Sequence, residues 1–203
     1  NLNWVLAGIH PAPEADRKRR LAGLLGKCQA LLPAEECRHR AWQQFAQVWG
    51  QLTRMMHDPE RSVEQSAQDA FLALRIRLDT TFQQWLERRF AGLHNQPAIP
   101  PVMLHHIPRE MARGLEHGGK AALVVLDGMA IEQWLVLREV LAEQRPLFAF
   151  QEEAVFAWVP TITSVSRQAI FSGISPLFFP SSLHTTQQEP ALWRRFWGGQ
   201  GLA

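Results

Sequence analysis

The chain has 203 residues, of which 46% are hydrophobic, and a formal net charge of +2. That suffices for one sizeable domain or two small ones with a globular core, and it excludes a strong global field directed at nucleic acid. Two cysteines are too few for a disulfide framework or a paired zinc site, and no apolar run reaches the ~18 residues of a membrane span.

The first half reads as helical. In "ADRKRRLAGLLGKCQALL", Leu21, Leu24, Leu25, Cys28, Leu31 and Leu32 recur at helical spacing, and Pro33 stops the helix. The basic run Arg17–Arg20 fits the wet face of that helix better than a phosphate grip. Cys28 and Cys37 fit reduced thiols of a cytoplasmic protein. A second helix is predicted from about Glu35 to Met56, with Trp42, Phe45, Val48, Trp49, Leu52 and Met55 on its apolar face. Ser62 and Gln65 fit a capping box for a third helix. Its stripe runs through Phe71, Leu74, Leu78, Phe82, Trp85, Phe90 and Leu93. Three helices with one apolar face each predict a bundle or helical layer. The tryptophans fall mostly on such stripes, where core packing is the default.

"HNQPAIPPV" at 94–102 reads as a linker. It divides a helical region, 1–95, from a second domain, 96–203. The adjacent His105 and His106, if on a strand, would point to opposite sides and make a poor metal site. "IPREMARGLEHGG" predicts a helix with Pro108 in its first turn and a glycine stop. "AALVVLDG" is a continuous apolar run ending at Asp127, the pattern of a buried parallel strand over 121–126. "AIEQWLVLREVLAEQ" is an amphipathic helix, and "PLFAFQEEAVFAWVP" one or two further strands, with Glu152 and Glu153 at a hairpin or exposed edge. Strand, helix, strand predicts an α/β fold class with a parallel sheet.

In such a sheet, ligands sit beyond the carboxyl ends of the strands. Right-handed crossovers put those ends on one edge. Asp127 and Thr163 are then expected as neighbours, with Thr163 at the start of a helix over Ser164–Ser172. A carboxylate is a hard oxygen ligand for Zn²⁺, Mn²⁺ or Mg²⁺. A threonine hydroxyl becomes a nucleophile when a metal or base activates it. The helix start offers amides to a phosphate, and Arg167, one turn in, its guanidinium. The plainer reading is a turn at Asp127-Gly128 and helix-capping hydroxyls.

"LVVLDGMAIEQW" and "VPTITSVSRQAIFSGISP" together resemble the PglZ domain of the alkaline phosphatase superfamily, a component of BREX-type phage-defence systems. The resemblance rests on Asp127, on Pro160, Thr161, Thr163, Ser164, Ser166 and Arg167, and on Phe171, Ser172, Gly173 and Pro176. The same stretch is similar to the "P-T-x-T-x-P-N" segment of the superfamily's nucleotide pyrophosphatases. That alignment gives Thr163 the nucleophile position and makes Thr161 its structural neighbour. It implies Asp127 and Thr163 as metal ligands and Ser164, Ser166 and Arg167 as substrate-binding residues. Two positions depart from it: Ser166 replaces a phosphate-holding Asn, and Val165 replaces a Pro. The superfamily's two-metal site needs further Asp and His ligands, for which residues 174–203 offer only His184 and Glu189.

The resemblance therefore implies part of a metal-dependent phosphoesterase, cleaving nucleotide or nucleic-acid phosphodiesters with Zn²⁺, Mn²⁺ or Mg²⁺. Its partners would be other phage-defence proteins, with a DNA methyltransferase as one candidate. The alternative is a catalytically silent scaffold for such proteins. An opening Asn1 and a closing "WGGQGLA" read as the ends of a piece cut from a longer protein, with 96–203 as the N-terminal part of the α/β domain.

Overall fold

A computed structural model describes residues 13–116 and 118–201. Trp4 and the chain ends lie outside them. Seven α-helices occur among the described residues: α1 (Pro13–Leu31), α2 (His39–Met56), α3 (Gln65–Arg89), α4 (Ile107–Leu115), α5 (Ile131–Gln144), α6 (Thr163–Ser172) and α7 (Glu189–Gly199). Short 3₁₀ turns lie at Phe90–Asn95, Leu104–His106, Pro176–Phe178 and Pro180–Ser182. The chain forms two compact units, both discontinuous. One holds the chain up to Leu86 together with Met129–Gln151. The other holds Glu87–Gly128 and the segment from Glu152 onward.

The first unit is a helical layer of α1, α2, most of α3 and α5. Leu21, Leu25 and Cys28 of α1 are buried, with Trp42, Phe45 and Leu52 of α2 and Phe71, Leu74, Leu78 and Trp85 of α3. The aromatic rings form a continuous column. Trp42 lies 4.7 Å from Phe82 and 5.9 Å from Trp85, and Trp49 stacks on Phe71 at 5.3 Å. The Trp85 indole N–H donates to the Cys37 carbonyl at 2.9 Å. Burial pushes the Cys28 thiol up to about 11, so it stays protonated. Arg17 donates to the Met55 carbonyl at 2.9 Å and pairs with Asp58 at 3.6 Å, while Lys18 pairs with Glu64. Lys18, Arg19 and Arg20 thus form the wet face of the run, while Arg17 is half-buried against the end of α2. The capping box expected at Ser62 is not formed, because α3 begins at Gln65 and its first intrahelical bond is Gln68 N–H to Glu64 O at 3.0 Å, which leaves Ser62 outside the cap position.

α5 belongs to this unit and packs against α2. The backbone of α2 comes close at Gly50, where a Cβ would overlap the Ile131 side chain. Leu135 is buried, Arg54 grips both oxygens of Glu139, and His57 Nδ1 lies 3.0 Å from Glu132. These ties act at the rim of the apolar contact and each adds little by itself.

The second unit corrects the expected fold class. The parallel sheet of an α/β domain is not seen: 64% of the described residues are helical, and none of them is in a strand. The run 121–126 is neither strand nor helix among the described residues, and Val124 and Leu126 stay 76% and 52% exposed. An apolar run states only that its side chains favour burial. Becoming a strand also needs a neighbouring backbone to accept and donate its hydrogen bonds, and none pairs with 121–126. Residues 146–155 likewise form no strand. One isolated parallel bridge joins Met103 to Phe156, through Phe156 N–H to Val102 O at 2.8 Å and Leu104 N–H to Phe156 O at 3.1 Å.

Around this bridge the unit is packed by helices. Met103 and Ala169 are fully buried, beside Val102, Phe156, Ile170, Phe179 and Phe196. His105 and His106 sit in the 3₁₀ turn rather than on a strand, 4% and 2% exposed, with rings 4.2 Å apart. Their burial lowers both pKa values, that of His105 to about 4, with the neighbouring His106, Arg109 and His94 contributing there. The neutral His106 Nδ1 accepts the amides of Val102 at 3.2 Å and Met103 at 3.4 Å. It thereby holds the segment that makes the bridge.

Candidate functional site

Thr163 is the first residue of α6, and Ser172 the last. The chain enters through Ile162, whose side chain has no oxygen to cap the helix, and no side-chain cap bond is made. The first intrahelical bond is Ser166 N–H to Ile162 O at 2.9 Å. The amides of Thr163, Ser164 and Val165 therefore have no acceptor within the helix. This bears directly on the hydroxyl cluster. A cap is the plain use for serines and threonines before a helix, and here an isoleucine occupies the cap position.

The hydroxyls divide by use. Thr161 and Thr163 are exposed. Ser164 is half-buried and donates to the Leu183 carbonyl, which ties the 180–183 turn to the helix. Ser166 is half-buried. Further along, Gln168 is fully buried and donates to Ser182 O at 2.8 Å and Ser164 O at 3.0 Å, while Ser182 Oγ donates back to it at 2.7 Å. Sequence reasoning missed this network, because a glutamine in a helix normally reads as a solvent residue. Gly173 ends α6 in the left-handed region, with φ 67° and ψ 16°.

Arg167 stands four residues after Thr163, hence on the same face of α6. Its guanidinium meets Glu189, the first residue of α7, through Nε to Oε1 and Nη2 to Oε2, both 2.7 Å. The Phe171 ring lies 5.9 Å from it. The Arg167 pKa is raised, first by the hydrogen bonds to Glu189, then by that charge and by the charge of Asp127. Asp127 lies in the same compact unit as Arg167. It sits exposed in a turn with Gly128, whose φ is 69°. Thr163 shares the face of α6 that carries Arg167. His184 is exposed, and Glu189 is engaged by Arg167 rather than standing open.

The donors fit a metal in kind but not in number. Asp127 and Thr163 offer a carboxylate and a hydroxyl, both hard oxygen donors. A hard divalent cation takes about six such ligands. Among the described residues no three His, Cys, Asp or Glu side chains come together to hold one. These residues do not by themselves amount to a metal centre. What the arrangement offers is an exposed hydroxyl, unpaired helix amides, and a guanidinium with N–H groups beyond those given to Glu189.

Residues 107–203 match the family model described as the BREX system PglZ alkaline phosphatase-like domain. This bears out the resemblance read from Asp127 and the Pro160–Pro176 segment. Alkaline phosphatase-like families generally use divalent metals. No curated protein and no solved structure matches the chain. No described helix is long and apolar enough to cross a membrane.

Proposed function

We propose that residues 96–203 are the N-terminal, nucleophile-bearing part of a PglZ-type phosphoesterase acting in phage defence in the cytoplasm, with Thr163 attacking a phosphodiester. The observation that supports this most is the state of the α6 entrance. Thr163 is exposed beside amides that no side chain caps, inside the stretch that matches the family model. In this reading the Thr163 Oγ forms the new bond to phosphorus, and the alcohol of the substrate leaves. The amides of α6 and the free edge of Arg167 receive the charge on the phosphate oxygens. Asp127, Ser164 and Ser166 complete the proposed set, Asp127 as the carboxylate for a divalent metal. Metal dependence rests on the family kinship. Nucleotides or nucleic acid are the proposed substrates, and other BREX components, a DNA methyltransferase among them, the proposed partners.

The test is hydrolysis of bis-p-nitrophenyl phosphate with Mn²⁺ or Zn²⁺ by the full-length protein. Thr163→Ala should abolish turnover with an unchanged melting temperature, since an exposed hydroxyl contributes little packing. Full activity in Thr163→Ala would overturn the proposal. A second reading, a scaffold, is favoured by apolar surface in the first unit. Leu147 is 96% exposed, Phe148 56%, and Val136 and Val140 on α5 49% and 42%. Phage resistance that survives Thr163→Ala but is lost in Phe148→Ser would support the scaffold.

A further inference from the structure

We propose that Glu189 is a positioning residue for Arg167, fixing the plane and the free edge of the guanidinium that meets the phosphate. This rests on the reading of Thr163 and Arg167 as site residues. The resemblance leaves Glu189, with His184, as a plausible further metal ligand in 174–203. The geometry gives it different work. Both carboxylate oxygens are committed to Arg167 at 2.7 Å, and the side chain is only 12% exposed.

A fork-to-fork pair of this kind is directional. Nε–H and one Nη2–H lie on one edge of the planar guanidinium, and both point to Glu189. Of its five N–H groups, three remain: one on each Nη shares the outer edge, and the second on Nη1 lies beside Cδ. The Phe171 ring, one turn further along α6, lies 5.9 Å from the guanidinium carbon. A long, rotamer-rich side chain is thereby held at two places, and its outer edge is fixed before a phosphate arrives. An arginine otherwise loses that freedom on binding. Side chains on a helix lean toward its N-terminus, so Arg167 leans toward the turn that begins with Thr163.

The pair is not required to dock the two helices. Phe171 meets Trp193 edge-on at 5.6 Å, and Gly173 lies against the Phe196 ring. α6 and α7 therefore have their own apolar contact.

The experiment is a double-mutant cycle on the full-length protein. Binding of bis-p-nitrophenyl phosphate is measured by calorimetry in a Thr163→Ala background, and kcat and KM in the wild-type background. Glu189→Gln keeps the shape and one oxygen acceptor but loses the charge-assisted pair. It should weaken diester binding and raise KM by about tenfold, with kcat changed far less. Glu189→Asp should recover part of the loss. In an Arg167→Ala background, Glu189→Gln should have no further effect, because its action passes through Arg167. Mn²⁺ affinity should be unchanged in Glu189→Gln. Additive losses in the Arg167→Ala background, or a loss of Mn²⁺ affinity in Glu189→Gln, would overturn the proposal. Should Thr163→Ala retain full turnover, the catalytic reading fails, yet the binding cycle still reports on Glu189.

Discussion

Replacing Gly173 by alanine tests how rigidly the candidate site is anchored. Gly173 ends α6 at φ 67° and is buried. An L-residue there costs roughly 1–2 kcal/mol from clash with its own backbone. The added Cβ would also lie 2.8 Å from two atoms of the Phe196 ring and 3.3 Å from Pro108 Cγ. The ring has little room to retreat, since Phe196 is 9% exposed and meets Trp197 edge-on at 5.1 Å. Such overpacking costs roughly 1–3 kcal/mol. The stiffer unfolded chain returns about 0.4–1 kcal/mol. A net destabilisation of roughly 1–4.5 kcal/mol, centred near 3, follows from these sums. Urea unfolding followed by tryptophan fluorescence reads it. Gly198→Ala, where a Cβ meets nothing within 4 Å, is the control and should be neutral or slightly stabilising. Combining Gly173→Ala with Phe196→Leu should recover the overpacking part and leave the backbone part. If Gly173→Ala is as stable as wild type, neither the left-handed conformation nor the ring contact constrains this helix end.

Gln168→Met should cost about 1–2 kcal/mol in the same assay, because it removes the buried bonds to Ser164 O, Ser182 O and the Ser182 hydroxyl and leaves the Ser182 carbonyl without its donor, while the hydroxyl keeps Phe179 O at 3.3 Å; a loss below about 0.5 kcal/mol would mean that water replaces the amide. Protonation of His105 and His106 gives a pH dependence with a definite sign. Their folded pKa values lie below the ordinary 6.5, that of His105 at about 4. Their stabilising effect is therefore complete above pH 6.5 and lost as pH falls from there toward 4. Unfolding free energy measured across that window should fall less steeply in His105→Gln than in wild type, and identical slopes would refute the assignment. Thr161→Ala should leave phosphodiester turnover within a few-fold of wild type; if it abolishes turnover while Thr163→Ala does not, the nucleophile register is displaced by two residues.

The helices were legible because each carries its own signal. The stripe from Phe71 to Trp85 states both the period and the buried face, and Pro108 and Gly173 mark a start and a stop. Asp127 and the 160–176 segment were legible as a family pattern. The sheet was misread because the run 121–126 says nothing about a partner. A helix closes its hydrogen bonds within itself, whereas a strand borrows half of its bonding from elsewhere in the chain. The same non-locality hid the pairing of Arg167 with Glu189 and the bonds of Gln168 to Ser182. Each joins residues 14 to 22 positions apart, across a turn whose geometry no local periodicity encodes.

The interleaving of the two units has a consequence for inheritance. The stretch that matches the family begins at residue 107, yet it contains α5, whose apolar face meets α2, encoded some 80 residues earlier, at Gly50. A recombination joint placed at the family boundary would transmit α5 without its groove, leaving Ile131 and Leu135 uncovered and Glu139 without Arg54. A chimaera joined at that boundary is therefore expected to be stable only when the helical half travels with the matched half. Substitutions at Gly50 and Ile131 must also drift as a pair, since any side chain gained at the first has to be accommodated by the second.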